Sequence, residues 1–248
     1  MAKIGRRNFL KKTSLSAASL YMASTVACAT DKENQPSGGS YMGDFAAPTL
    51  ETVRIAIIGV GARGSGHASQ LASIEGTEIV AIADVYEDLV ARSIAKCIEV
   101  GKGRHQNIAP YSGGDHEWKK MLAEVKPDAV FIATNWGNHA PMAIETMKQG
   151  AHAFVEVPIA VTLQEMWDIV DTSEQTQKHC MMMENVNYGR EELLYLNLCR
   201  QGKIGEILHA EAAYIHELRF QMEEQERGTG SWRTPHYAKR NGNLYPTH

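Results

Sequence analysis

Apolar positions along the chain fall into short, nearly continuous β-branched runs separated by stretches with helical spacing. Residues 53–58 (Val-Arg-Ile-Ala-Ile-Ile) run straight into Gly59, the pattern of a strand buried on both faces. A helix is predicted over 64–75, then a strand over 77–83 closed by Asp84, a helix over 86–100 and a short strand over 108–111. Asp115 reads as the N-cap of a helix through 125, which Pro127 ends before a strand over 128–133. A helix over 141–149 stops at Gly150, and a strand follows over 152–156. Thr162-Leu163-Gln164-Glu165 has the form of a capping box and opens a helix through 177. A last strand over 180–184 contains Met181, Met182 and Met183, which read as core strand rather than cofactor contact. This alternation predicts an α/β Rossmann fold over 53–185, a doubly wound parallel sheet with right-handed crossovers.

The pattern changes after that. A helix over 188–201 carries Leu193, Leu194, Leu196 and Leu198, residues 202–205 make a turn, and 206–218 reads as one long strand. The remainder to 248 is polar and aromatic with little periodicity. One strand cannot form a covered sheet, so 186–248 is expected to be a partial α+β second domain, incomplete as a substrate-binding unit. The missing strands are expected beyond His248, and homo-oligomerisation through that sheet is expected.

The N-terminus departs from globular composition. Gly5-Arg6-Arg7-Asn8-Phe9-Leu10-Lys11-Lys12 precedes an acid-free Ser/Ala/Leu stretch through Ala29, which resembles a twin-arginine (Tat) export signal. The stretch is too short and polar to span a bilayer stably. Residues 1–29 are thus expected to be a signal peptide directing export, and 30–52 a linker rich in Gly, Ser, Pro and charge. Cys28 matches a lipidation site only loosely. The net charge of −4 and the absence of a basic run beyond the leader argue against a nucleic-acid partner. Four widely spaced cysteines make no CxxC pair and ten histidines show no ligand spacing, so no metal is expected.

Candidate chemistry starts at Gly59-Val60-Gly61-Ala62-Arg63-Gly64, a GxGxxG loop between strand and helix, with Asp84 twenty residues beyond its last glycine. Gly59 permits the tight turn, Gly61 lets a pyrophosphate approach the backbone, and Gly64 allows helix and strand to pack closely. The helix N-terminus offers unpaired N–H groups to the phosphates. A carboxylate at Asp84 accepts both ribose hydroxyls and repels a 2′-phosphate, which points to NAD; Arg63 beside the loop is the one feature that suits a phosphate there.

Three further segments carry a resemblance to the Gfo/Idh/MocA oxidoreductase superfamily: the phosphate loop, Ala133-Thr134-Asn135-Trp136-Gly137-Asn138-His139, and Glu156-Val157-Pro158. Dehydrogenases of that superfamily usually carry a lysine where Val157 stands, and an apolar side chain moves no proton. The chain more closely resembles glycoside hydrolase family 109, the NAD-dependent α-N-acetylgalactosaminidases. That likeness rests on Asn135-Trp136, Glu156-Val157-Pro158, the run from Met183 to Gly189, Gly230-Ser231-Trp232-Arg233 and Tyr245-Pro246-Thr247-His248. It implies NAD contacts from Ala62, Arg63, Asp84, Asn135, Trp136, Gly137, Asn138, Glu156, Val157 and Asn185. It also implies a sugar site lined by Tyr188, Tyr214, Arg233, Tyr245, Pro246, Thr247 and His248. Arg233 beside Trp232 reads equally well as cation–π surface packing, Tyr188 as a rim tyrosine and His248 as a solvated residue.

The activity this implies is release of terminal α-linked N-acetylgalactosamine from a glycan by transient oxidation at C3. Loss of the C2 proton, departure of the glycosidic oxygen, hydration at C1 and re-reduction follow, with NAD returned unchanged. His248 is assigned to the C3 hydroxyl, Tyr188 to the C2 proton, and Tyr245 is the third catalytic candidate. An NAD-dependent sugar or polyol dehydrogenase, or an NAD-binding fragment without catalysis, are the alternatives.

Overall fold

A computed structural model describes residues 40–185, 187–211, 213, 217, 219–224 and 226–240. Residues 1–29, expected to be an export signal, together with Tyr214 and residues 245–248 lie outside the described residues.

Six strands form one parallel sheet: β1 (Val53–Ile58), β2 (Thr77–Ala83), β3 (Ala109–Tyr111), β4 (Ala129–Ile132), β5 (His152–Val155) and β6 (Cys180–Met182). Their order is β3-β2-β1-β4-β5-β6, the doubly wound arrangement, with the topological switch between β1 and β4. Successive side chains of β1 go to opposite faces. Ile55 and Ile57 join Ala68 and Ala72 of α1 (Ala62–Ser73) and Val90 and Cys97 of α2 (Glu87–Val100) in one layer of core. Ala56 and Ile58 join the other layer, with Met121 and Leu122 of α3 (Glu117–Val125), Ala140, Ala143 and Met147 of α4 (Trp136–Lys148), and Ile169 of α5 (Leu163–Thr176). Between β1 and β2 the pairing passes from Ile55↔Ile79 to Ala56↔Ala81, leaving Val80 as the extra residue of a bulge.

Local chemistry accounts for most boundaries. The Thr162 hydroxyl accepts from the Glu165 N–H at 3.2 Å while the Glu165 carboxylate accepts from the Thr162 N–H at 2.9 Å, the reciprocal box expected. Gly150, at φ +92°, follows the end of α4 as expected. Several boundaries differ, among them the end of β6, which stops at Met182, and the starts of three helices. Helix α1 begins two residues early because Gly61 takes the cap position. Helix α4 starts at Trp136, so Pro141 stands inside it rather than at its first turn. Helix α3 is capped at His116, without a side-chain cap bond, not at Asp115. Met181 and Met182 do form strand, but on the sheet edge and about two-fifths exposed, so they are not core.

After the sheet the elements formed by the described residues are helices: α6 (Arg190–Arg200), α7 (Arg219–Glu223) and α8 (Thr229–Arg240). The strand expected over 206–218 is not formed at its described residues, because a strand exists only as part of a ladder and no described strand runs alongside. The Leu193, Leu194 and Leu196 side chains of α6 are half exposed rather than packed.

Candidate functional site

Every strand of a parallel sheet ends on the same edge, so the loops after β1, β2, β4 and β5 converge where the order reverses. The loop after β1 is tightly constrained. Gly59 adopts φ +86° and its N–H donates to the Ala83 carbonyl at 2.8 Å. A Cβ at Gly59 would lie 2.6 Å from the Ala133 carbonyl oxygen, so the β1 and β4 loops touch through a glycine. A Cβ at Gly64 would overlap the Gly59 carbonyl oxygen. A Cβ at Gly61, by contrast, would meet nothing within 4 Å. Gly61 is also the N-cap of α1 and supplies no side-chain cap, so the first-turn N–H groups face that open space. This is a seat for a phosphate: room, unsatisfied donors and the positive end of a helix.

Asp84 closes the seat from β2. Its Oδ2 accepts the Val60 N–H at 2.7 Å and its Oδ1 the Tyr86 N–H at 3.0 Å. Each oxygen keeps acceptor capacity for a hydroxyl. At β4, Asn135 caps α4 through extended backbone without a side-chain bond, Trp136 is buried, Gly137 is partly buried and Asn138 is exposed. At β5, Val157 is buried and joined to Pro158 by a cis peptide. The buried His139 ring ties these two loops, with Nδ1 2.8 Å from the Pro158 carbonyl and Nε2 3.0 Å from that of Thr134.

Glu156 carries the densest electrostatics of the site. Its Oε1 lies 2.6 Å from His67 Nε2 and 3.6 Å from Arg63 Nε, and its Oε2 accepts the Val157 N–H at 3.2 Å. Burial opposes its charge, but the hydrogen bond and charge of His67, the Val157 amide and Arg63 together outweigh burial and hold the carboxyl below its ordinary range.

The segment beyond the sheet reaches this edge. Trp232 of α8 meets the Trp136 ring edge-on at 5.0 Å. The Arg233 guanidinium lies 5.3 Å from the Trp136 ring and 5.1 Å from that of Trp232. The cation–π reading of Arg233 is thus correct, but it is buried, not on the surface, and its Nε has no hydrogen-bond partner among the described residues. Desolvation lowers its pKa. Asn185 and Tyr188 are both exposed.

Sequence reasoning missed three side chains at this edge: His67, His236 and Arg227. His236 of α8 packs on Trp136, its ring centroid 5.8 Å away, and its buried Nδ1 has no hydrogen-bond partner among the described residues. Arg227 sits 4.0 Å above the Tyr86 ring and pairs with Asp88 at 2.7 Å; that hydrogen bond holds the Asp88 carboxyl below its usual range. Each contact joins residues far apart in sequence, and only the position of His67 three residues past Gly64, on the phosphate helix, was there to be read. Among the described residues no three His, Cys, Asp or Glu side chains converge as metal ligands.

This geometry defines a dinucleotide-binding domain of the Rossmann class. Residues 53–184 match the oxidoreductase family with an NAD-binding Rossmann fold, and residues 188–248 match the C-terminal domain of glycosyl hydrolase 109. The chain belongs to this NAD-binding oxidoreductase family, in its glycosyl hydrolase 109 branch. It is 61% identical over 211 residues to glycosyl hydrolase family 109 protein 1 of Akkermansia muciniphila, covering 85% of this chain and 43% of that protein. It is 50% identical over 250 residues to the alpha-N-acetylgalactosaminidase of Shewanella oneidensis, covering all of this chain and 54% of that one. The chain thus spans about half the length of these relatives. Among solved structures, scyllo-inositol dehydrogenase from Lactobacillus casei with bound NAD(H) and scyllo-inositol superposes with a TM-score of 0.55 at 23% identity, covering 63% of this chain and 43% of that one, which shows a shared fold.

Proposed function

We propose that the protein is an exported, NAD-dependent glycosidase that releases terminal α-linked N-acetylgalactosamine from a glycan. The observation that carries this reading is the stacking of Arg233 on Trp136. It brings the segment matched to the hydrolase C-terminal domain against the loop that holds cofactor. The residues present fit NAD: open space at Gly61 with the bare α1 N-terminus for the pyrophosphate, and Asp84 for a ribose. Arg63, Asn135, Trp136, Gly137, Asn138, Glu156, Val157 and Asn185 complete the set assigned to it.

Bound NAD would supply reversible hydride transfer at the sugar C3 and end the cycle unchanged. Proton handling is left to the chain. Val157 offers no titratable group at the position where dehydrogenases of the superfamily usually carry lysine, so proton transfer is assigned to Tyr188 at C2 and His248 at the C3 hydroxyl, with Tyr245 as the third candidate. Arg233, a buried cation whose Nε has no hydrogen-bond partner among the described residues, is assigned to a polar oxygen of the sugar. Export rests on the Arg6-Arg7 leader.

The test is release of p-nitrophenol from p-nitrophenyl α-N-acetylgalactosaminide with NAD in catalytic amount. Cleavage without net NADH, and solvent deuterium at C2 of the released sugar, are expected. Net NADH formation without cleavage would identify a dehydrogenase instead.

A further inference from the structure

We propose that His67 is a positioning residue for the cofactor, holding Glu156 from the phosphate helix so that its remaining acceptor capacity stays available to ribose hydroxyls. The proposal rests on the reading of this edge as an NAD site. The two residues are 89 positions apart, yet Nε2 and Oε1 meet at 2.6 Å. His67 lies on α1, whose N-terminus is the proposed pyrophosphate seat; Glu156 follows β5 directly and precedes Val157. One hydrogen bond therefore ties the phosphate seat to the loop at the other end of the crevice.

The surroundings show why His67 has no substitute. The Glu156 side chain is only 12% exposed, so a carboxylate there needs fixed donors in place of water. Its own loop supplies one, the Val157 N–H to Oε2. Oε1 depends on α1. Arg63 stands 3.6 Å away, beyond hydrogen-bond length, with its side chain 54% exposed and free to move into solvent. His139, the other titratable group near Glu156, spends both ring nitrogens on backbone carbonyls. Only His67 holds Oε1 at hydrogen-bond distance among the described side chains. The mechanism gives this imidazole no proton to carry, so its role is exerted through Glu156.

NADH titration followed by nucleotide fluorescence, on the full chain, tests this. His67→Leu and His67→Asn should each weaken binding about tenfold, since the asparagine amide is too short to reach Oε1. His67→Gln places an N–H near the position of Nε2 and should bind within about threefold of the unsubstituted chain. In a Glu156→Gln background, His67→Leu should add less than about twofold, because the effect runs through the carboxylate. Unchanged affinity in His67→Leu, failure of His67→Gln to restore binding, or full additivity with Glu156→Gln overturns the proposal while leaving NAD binding intact. An unsubstituted chain that does not bind NADH, or an Asp84→Ala chain that binds it equally well, overturns the NAD reading and this proposal with it.

Discussion

Gly64→Ala is expected to abolish measurable NADH binding and to destabilise the fold at the same time. The added Cβ would overlap the Gly59 carbonyl oxygen, lie 2.9 Å from the Gly59 carbonyl carbon and press 3.2 Å from the Ala133 side chain. Two of those three atoms are backbone, so no side chain can swing aside. Relief requires α1 to move off β1, which displaces the N–H groups meant for the phosphates. Overpacking of a core contact costs about 1–3 kcal/mol. Here the α1 residues Ala68 and Ala72 are almost fully buried against β1 and β2, so the displacement loosens a whole core layer. Thermal denaturation alongside the titration checks both parts. Gly61→Ala supplies the contrast: its Cβ enters open space, so the apo chain should keep its melting temperature while the affinity falls.

Asp84→Ala ranks second. The carboxylate does two jobs in the apo chain, since Val60 and Tyr86 each give it their only described amide bond. Val60 is completely buried, so removing its acceptor leaves a backbone N–H stranded, at a cost of about 1–3 kcal/mol. The same change removes the acceptor proposed for the ribose. With hydrogen bonds to charged groups worth about 1.5–3 kcal/mol each, NADH affinity should fall roughly a hundredfold. Asp84→Asn separates the two roles: its one amide oxygen can serve either Val60 or Tyr86, so it should recover part of the stability and little of the affinity. Chemical denaturation and NADH titration of the pair measure the separation. Equal affinity of Asp84→Ala and the unsubstituted chain would place the ribose elsewhere.

The sheet was legible in the sequence because its signals are local. A β-branched run ending in glycine, a Thr-x-x-Glu box and a glycine after a helix each act within a few residues, and β1, α5 and the end of α4 formed where those signals lay. The phosphate loop and Asp84 were legible for the same reason, as one strand–turn–helix–strand unit. What failed depends on distant partners. The run over 206–218 has strand composition, but pairing needs a neighbouring edge that composition cannot supply. Helix α8 escaped notice because it packs through Trp232, Arg233 and His236 onto Trp136, not through a periodic apolar stripe. Pro141 misled for a physical reason: proline favours first turns, yet α4 accepts it one turn further in. The bond between His67 and Glu156 closes across 89 residues and leaves no local trace.

The edge-on meeting of Trp136 and Trp232 also has an optical consequence. One indole opens α4 and is 2% exposed; the other belongs to α8. Two indoles held 5.0 Å apart at a fixed 74° form an asymmetric chromophore pair, whose near-ultraviolet dichroism vanishes when side-chain packing is lost, even where helix content persists. The molecule thus carries its own unlabelled gauge of whether α8 is seated on the dinucleotide edge.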